Sequence, residues 1–274
     1  MDSCRLWKKT HRYGLIGYPI AHSGSPALFR QAYGGKWPYD LIENPSFDEA
    51  WQAFLDGYDA INITAPFKEK AAMRADIQSP EVQSIGAGNI AVKTRCGVKV
   101  FNSDYLGVRM LLEELGGTAE SDVRAAVGAP LRVVVIGYGG AGKAAVAAAR
   151  DAGMEVAVFN RSDHGLSFIH PLAELPEADA DIILYSLPML VPEMSAWMGR
   201  VRAGEVPCPR YCIEANYRDP VLAPYSESHS SVSPESDSRT SLLPADTTYI
   251  PGERWLMAQA VTGYELLTGE KPRF

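Results

Sequence analysis

Three short polar segments in the first half of the chain carry groups that could hold an anion and move a proton. His22-Ser23-Gly24-Ser25-Pro26 sets two hydroxyls one residue apart at a helix start. Asn62-Ile63-Thr64-Ala65-Pro66-Phe67-Lys68 sets a hydroxyl and an amine just beyond an apolar run, and Asn102-Ser103-Asp104 sets a carboxylate at a helix opening. Singly, each suits a structural role: a helix cap, a surface lysine, an acid favoured by the helix dipole. Together they offer hydroxyl donors for a substrate carboxylate and a Lys68–Asp104 pair able to pass a proton. A carbonyl that receives a hydride builds negative charge on its oxygen, and an ammonium placed there lowers the barrier.

A fourth segment could supply the other half of such a reaction. Gly137-Tyr138-Gly139-Gly140-Ala141-Gly142 stands between the β-rich run Leu131 to Ile136 and the alanine-rich stretch Ala141 to Ala152. Gly137 permits the tight turn and Gly139 lets the backbone approach a pyrophosphate. The small residues Gly140 and Ala141 let the helix close on the strand, its N-terminus offering unpaired N–H groups to the phosphates. About 20 positions beyond the glycine turn, where NAD enzymes place an acid for the ribose 2′-hydroxyl, stand Asn160, Arg161 and Ser162. A guanidinium and small polar groups suit a 2′-phosphate, so NADP(H) is the expected cofactor and NAD(H) the alternative.

These groups need elements to hold them. Strands are predicted at Tyr13 to Gly17, Ala60 to Ile63, Asn89 to Lys93 and Val98 to Phe101, with helices over Pro26 to Tyr33 and Phe47 to Leu55, the latter capped by Ser46. A helix over Tyr105 to Leu115 stops at Gly116-Gly117, and residues 118–130 are loosely patterned, a linker or an irregular surface stretch. The run Leu131 to Ile136, its helix and the strand Glu155 to Phe159 form a βαβ unit with parallel strands. Strands Asp181 to Tyr185 and Arg210 to Glu214 extend that sheet. Ser226 to Thr248, rich in serine, reads as a solvated loop, and Trp255 to Leu267 as a closing amphipathic helix.

Composition narrows the class. The 274 residues carry a formal net charge of −7, unlike a nucleic-acid surface, which needs clustered cations. No apolar run approaches the roughly 20 residues of a membrane span, and the first residues lack the apolar core of a secretion signal. Cys4, Cys96, Cys208 and Cys212 are scattered without metal-ligand spacing, so no metal site is expected and the thiols read as free in a reducing cytoplasm.

The order of these segments resembles the shikimate dehydrogenase family, whose members reduce 3-dehydroshikimate to shikimate with NADPH in chorismate and aromatic amino-acid biosynthesis. The resemblance rests on Tyr13 to Pro26, Ile61 to Ala71, Gly86-Ala87-Gly88-Asn89, Asn102-Ser103-Asp104, the glycine turn, Asn160-Arg161-Ser162, and Gly252 through Gln259 with Thr268-Gly269. It implies an α/β chain of two domains, residues 1–107 plus 251–274 binding substrate and residues 108–250 forming a Rossmann-like dinucleotide domain, with the C-terminal helix returning to the substrate domain. It implies further that Ser23 and Ser25 hold the substrate carboxylate with help from Tyr217. Thr64, Asn89 and Gln259 would bind hydroxyls, Lys68 and Asp104 would be the catalytic pair, and the Gly252 backbone would meet the nicotinamide. A small-molecule substrate and a monomer or homodimer are expected, with neither nucleic acid nor membrane as partner.

Some positions depart from the family pattern. Ser186-Leu187-Pro188-Met189 replaces its Asn-Ala-Thr-type turn, and Tyr105 replaces the glycine after the helix-opening acid. The competing readings are a relative acting on quinate or an aminoshikimate, with NAD as its alternative cofactor, and a non-catalytic metabolite sensor, which would not need the proton-transfer pair.

Overall fold

The computed structural model describes residues 10–117, 129–223 and 242–274. The chain divides into two compact units, residues 1–107 with 258–274 and residues 108–257. Most of the expected 118–130 linker, and the serine-rich loop as far as residue 241, lie outside the described residues.

The first unit is built on a six-stranded sheet in the order β2-β1-β3-β5-β6-β4. Its strands are β1 (Tyr13–Gly17), β2 (Tyr39–Glu43), β3 (Ala60–Ile63), β4 (Ile77–Gln78), β5 (Ile90–Thr94) and β6 (Gly97–Phe101). Strand β1 is wholly buried and runs parallel to β2 and β3, whereas β5 is antiparallel to both β3 and β6. That single reversal leaves β1, β3 and β6 pointing one way, so their carboxyl ends and the amino end of β5 share one edge of the sheet.

Both faces of this sheet are covered, as the alternation of side chains along a strand requires. One face packs Ile16, Ile61, Ile63 and Val100 against Trp51 and Phe54 of helix α2 (Phe47–Gly57) and against Phe67. The other packs Tyr13, Ala60 and Ile90 against Phe29 of helix α1 (Ser25–Tyr33) and against Ala260, Tyr264 and Leu267 of the C-terminal helix Gly252–Thr268. Ser46 caps α2 as expected, its hydroxyl accepting from the Glu49 amide at 3.4 Å. In this unit two helices were not anticipated, α3 (Lys68–Arg74) and α4 (Pro80–Ile85), and the helix Pro192–Arg202 of the second unit was not either. Helices α3 and α4 are too short to show helical periodicity, and the four charged residues of α3 hide its two buried alanines.

The second unit holds a parallel sheet in the order β12-β11-β10-β7-β8-β9. These are β7 (Arg132–Ile136), β8 (Glu155–Asn160), β9 (Ile169–Pro171), β10 (Ile182–Tyr185), β11 (Tyr211–Glu214) and β12 (Thr248–Ile250). Counted from β7, the order is third, second, first, fourth, fifth, sixth, the doubly wound arrangement whose direction switches between the first and fourth strands. Helix α6 (Gly140–Asp151) is the crossover from β7 to β8, and helix α7 (Pro192–Arg202) supplies Trp197 and Met198 to the core. Helix α5 (Ser103–Gly117) carries the chain into this unit and the C-terminal helix, α8, carries it out.

The solvated-loop expectation fails at its far end. Leu243 is buried in the core, the Thr247 hydroxyl donates to the Pro209 carbonyl at 2.7 Å, and β12 begins at Thr248. Leu242 and Leu243 are the only leucines near this end of a polar stretch, too sparse to show a period. Residues 251–257 group with the second unit, where Arg254 pairs with Glu114 at 2.7 Å.

Burial of Tyr13 and Tyr33 pushes each phenol up to about 12, with Asp59 adding to the effect at Tyr13 and Glu265 at Tyr33, where the Thr268 hydrogen bond opposes it. Below about pH 10 both phenols are neutral in folded and unfolded chains alike. Between about 10 and about 12 the unfolded chain loses its protons first, so stability falls as pH rises. Tyr13→Phe removes one such group while keeping the buried ring. Its urea midpoint is expected to fall less steeply between pH 9 and 11 than that of the parent, and equal slopes would refute this account.

Candidate functional site

The loop after β1 carries the two serines. The Ser23 amide donates to the Ile20 carbonyl at 2.8 Å, turning the chain. The Ser23 hydroxyl donates to the Ser25 hydroxyl at 3.0 Å and accepts from the Ser25 amide at 3.3 Å. Behind them the Tyr39 phenol donates to Asn62 Oδ1 at 2.7 Å. Burial holds that phenol in its neutral form, against a weaker opposing hydrogen bond with Ser25. Thr64 follows β3 and lies against the end of β1. A Cβ on Gly17 would come within 2.4 Å of Thr64 Cγ2, so the glycine is what admits the threonine there.

Lys68 opens α3 immediately beyond, and its Nζ donates to Asp104 Oδ2 at 2.6 Å. The lysine side chain is 29% exposed and the aspartate 11%, so a small molecule can reach a pair that is otherwise enclosed. Asp104 sits in the first turn of α5, where the helix dipole favours an anion. Asn102 caps this helix, its Oδ1 accepting from the Tyr105 amide at 3.0 Å. Asn89 is buried at the junction of three strands. Its amide donates to the Phe101 carbonyl at 2.9 Å, its carbonyl accepts from Ile63 at 2.8 Å, and its Oδ1 accepts from the Ser103 amide at 2.7 Å. Ser23, Ser25, Thr64, Lys68, Asn89 and Asp104 thus stand at one edge of the first sheet.

Gln259 lies on the part of α8 packed against α5 in the same unit. A Cβ on Gly107 would meet the Gln259 amide nitrogen at 2.7 Å, and one on Gly263 would meet Ser103 Cβ at 3.1 Å. Tyr217 and Gly252 belong to the second unit, where Tyr217 is 37% exposed. They are close in space, because a Cβ on Gly252 would fall 2.7 Å from the Tyr217 amide nitrogen.

In the second unit the glycine turn follows β7 at the switch point. Gly137 has a φ of +97°, a left-handed conformation that disfavours side chains. At Gly139 and Gly140 a Cβ would meet nothing within 4 Å, so their bare backbone faces open space, as close approach of a pyrophosphate requires. Ala141 lies in the first turn of α6. Asn160, at the end of β8, accepts from the Tyr138 amide at 3.3 Å and donates to the Ser162 carbonyl at 2.9 Å. The Arg161 guanidinium is exposed and reaches Met189 Sδ at 3.4 Å. The Ser162 hydroxyl accepts from the His164 amide at 3.2 Å. The Asp163 carboxylate turns onto the Gly165 amide at 2.9 Å, which occupies the one acid in this turn. These residues fit a dinucleotide, and among the described residues no cluster could hold a metal ion.

Parts of this chain are similar to known proteins. Residues 15–91 match the model of the shikimate dehydrogenase substrate binding domain. A shikimate dehydrogenase (NADP(+)) of Thermus thermophilus is 34% identical over 158 residues, 55% of this chain and 56% of that protein. Another, from Anaeromyxobacter dehalogenans, is 33% identical over 181 residues, 63% of this chain and 61% of that one. These alignments therefore span less than two thirds of the relatives' lengths. Solved structures extend the likeness in fold. Shikimate 5-dehydrogenase from T. thermophilus in complex with NADP(H) and shikimate superposes with a TM-score of 0.67 at 25% identity, over 96% of this chain and 95% of that one. Quinate dehydrogenase from Corynebacterium glutamicum in complex with NAD gives 0.71 at 21% identity, over 96% and 95%, which speaks to fold alone.

Two glycines with structural claims on these sites were not singled out from sequence. A Cβ on Gly142 would come within 2.1 Å of the Gly137 carbonyl oxygen, which makes it the residue that lets α6 close on the turn. A Cβ on Gly88 would strike Val100 Cγ1 at 2.2 Å, and its amide donates to the Lys68 carbonyl at 3.0 Å. Both stood in quoted motifs, and the one-to-three-to-six glycine spacing from Gly137 was the available signal for Gly142. Because its obstacle is backbone, Gly142→Ala is expected to cost about 1–3 kcal/mol, measured by urea denaturation. Unchanged stability would show that the turn yields freely.

Proposed function

We propose that this chain is an NADP-dependent shikimate dehydrogenase, interconverting 3-dehydroshikimate and shikimate. The observation that carries the reading is the Lys68–Asp104 contact of 2.6 Å, at the sheet edge that also bears Ser23, Ser25, Thr64 and Asn89. A carboxylate needs hydroxyl or amide donors, and the paired serines after β1 supply two hydroxyls. Thr64, the amide nitrogen of Asn89 and Gln259 serve ring hydroxyls. Tyr217, for which the sequence suggests a role at the carboxylate, is carried by the second unit. We assign residues 1–107 and 258–274 to substrate and residues 108–257 to the dinucleotide, following the compact units.

NADPH, when bound, supplies the hydride. Gly137, Gly139, Gly140 and Ala141 would hold its pyrophosphate against the amino end of α6, with Asn160, Arg161 and Ser162 at the adenosine ribose and the Gly252 backbone at the nicotinamide. In the reductive direction the Lys68 ammonium faces the carbonyl oxygen, stabilises the charge that builds there and gives up a proton to the new alkoxide. In the oxidative direction the same nitrogen takes the hydroxyl proton. Asp104 keeps the lysine aimed and accepts a hydrogen bond from the neighbouring hydroxyl. The location we expect is the cytoplasm; among the described residues no helix is long and apolar enough to cross a membrane.

The test is spectrophotometric. NADP⁺ and NAD⁺ are each offered with shikimate and with quinate, following reduced nicotinamide. Turnover is expected with shikimate and NADP⁺. Turnover with quinate alone would move the substrate to that acid, and a folded protein silent with all four pairs would sink the enzyme reading. Lys68→Ala is expected to lose turnover by at least about a hundredfold while NADP(H) affinity, measured by fluorescence titration, stays within about twofold. Parent-like turnover in that variant would remove Lys68 from the chemistry.

A further inference from the structure

Among the buried acids that the catalytic assignments leave unused, Glu81 is bonded to the turn that carries Asp104. Glu81, in the first turn of α4, is 8% exposed, and a buried carboxylate is costly unless it is fully used. Its Oε1 accepts from the Ser79 hydroxyl and from the Asn102 backbone amide, the latter at 3.2 Å. Asn102 is in turn locked on every side. Its side-chain nitrogen donates to the Ala87 carbonyl at 2.9 Å, and its Oδ1 caps α5 through the Tyr105 amide. Two residues further on stands Asp104. On the lysine side, Gly88 joins the same segment, residues 87–89, to the Lys68 carbonyl.

We propose that Glu81 is a positioning residue for Asp104. By holding the amide that immediately precedes helix α5, it fixes the rotation and height of that helix's first turn, and so the point at which the carboxylate meets Lys68. A charged acceptor makes this hydrogen bond stronger than a neutral one would, and its burial keeps water from competing for the amide. The same carboxylate oxygen cannot touch substrate, being directed at Ser79 and Asn102. Glu81 therefore acts through Asn102, and it sets geometry where a displacement of about 1 Å can cost about a hundredfold in rate. The inference rests on the shikimate dehydrogenase reading for its kinetic consequence, and on the Lys68–Asp104 contact alone for its structural one.

Three variants of the full chain separate the possibilities. Glu81→Ala removes the acceptor, and Glu81→Gln keeps an acceptor oxygen of the same shape. Val98→Ala, at the opposite end of β6, removes buried volume without touching the network. With shikimate and NADP⁺, Glu81→Ala is expected to lose roughly tenfold to a hundredfold in kcat with KM for NADP⁺ within about twofold. Glu81→Gln should recover most of the loss, and Val98→Ala should keep parent kcat even if its melting temperature falls as far. Equal kcat losses in Glu81→Ala and Val98→Ala would reduce Glu81 to a stability residue and overturn the proposal. A readout free of turnover is the rate at which acetic anhydride labels Lys68, followed by mass spectrometry. Release of Lys68 from Asp104 should speed labelling several-fold in Glu81→Ala and leave it at the parent rate in Glu81→Gln. Parent-rate labelling in Glu81→Ala would overturn the proposal whether or not the wild-type chain turns shikimate over. An inactive wild-type with accelerated labelling in Glu81→Ala would instead refute only the substrate assignment and uphold the positioning role.

Discussion

An ammonium and a carboxylate 2.6 Å apart are the contact around which the first unit is organised, and the chain places them there by reversing a single strand. Lys68 follows β3 and Asp104 follows β6. Because β5 runs antiparallel between those two strands, the chain returns to the edge it left and delivers Asn89 on the way. A wholly parallel sheet would need a further crossover for each residue it brought to that edge. The reversal packs three polar segments into one place with short connections. The contact itself contributes little to stability, since partly exposed ion pairs are worth only about 0–1 kcal/mol. Its value lies in where it stands.

Holding it there uses the backbone as much as the side chains. The start of a helix exposes amides that must find acceptors, and at α5 the acceptors are its own cap and side chains of other elements. Glu81 takes the Asn102 amide, Asn89 takes that of Ser103, and Asn102 itself takes that of Tyr105. Each bond that satisfies the helix also ties its first turn to a neighbouring segment. Tyr39 stands behind the serine loop, where a buried phenol that stays neutral donates to Asn62 without bringing a charge there.

Much of this was visible in the sequence where burial is complete and little of it where burial is partial. The strands β1, β3 and β7 are near-continuous apolar runs, and both sheets grow from them. Strands β2, β9 and β12 are edges with few buried residues, so their residues obey no strict alternation. Helix α3 is seven residues long and four of them are charged. The site was legible as motifs because hydroxyls, a lysine and an acid at strand ends are unusual together. Glu81 was not, since a buried carboxylate one residue after a proline looks like any helix-opening acid until its hydrogen bonds are known.

The second unit departs in places from the pattern that the sequence resembles. Ser186, standing in place of the usual turn, lies within hydrogen-bonding reach of the Ile136 and Gly137 carbonyls at 3.0 and 3.2 Å. Its hydroxyl is thus engaged by the end of β7 rather than offered to a ribose. Leu187 approaches so closely that a Cβ on Gly137 would meet it at 2.9 Å, giving the switch point an apolar wall. Glu214, fully buried at the end of β11, accepts from the Val221 and Leu222 amides and from the Tyr249 phenol, each bond between 2.6 and 3.2 Å. That carboxylate anchors the loop that carries Tyr217, as Glu81 anchors the turn that carries Asp104. In both units, then, a residue that would face a ligand is held by a buried acid spending its charge on backbone amides. The exposed residues can vary around such an anchor while the geometry they depend on is kept.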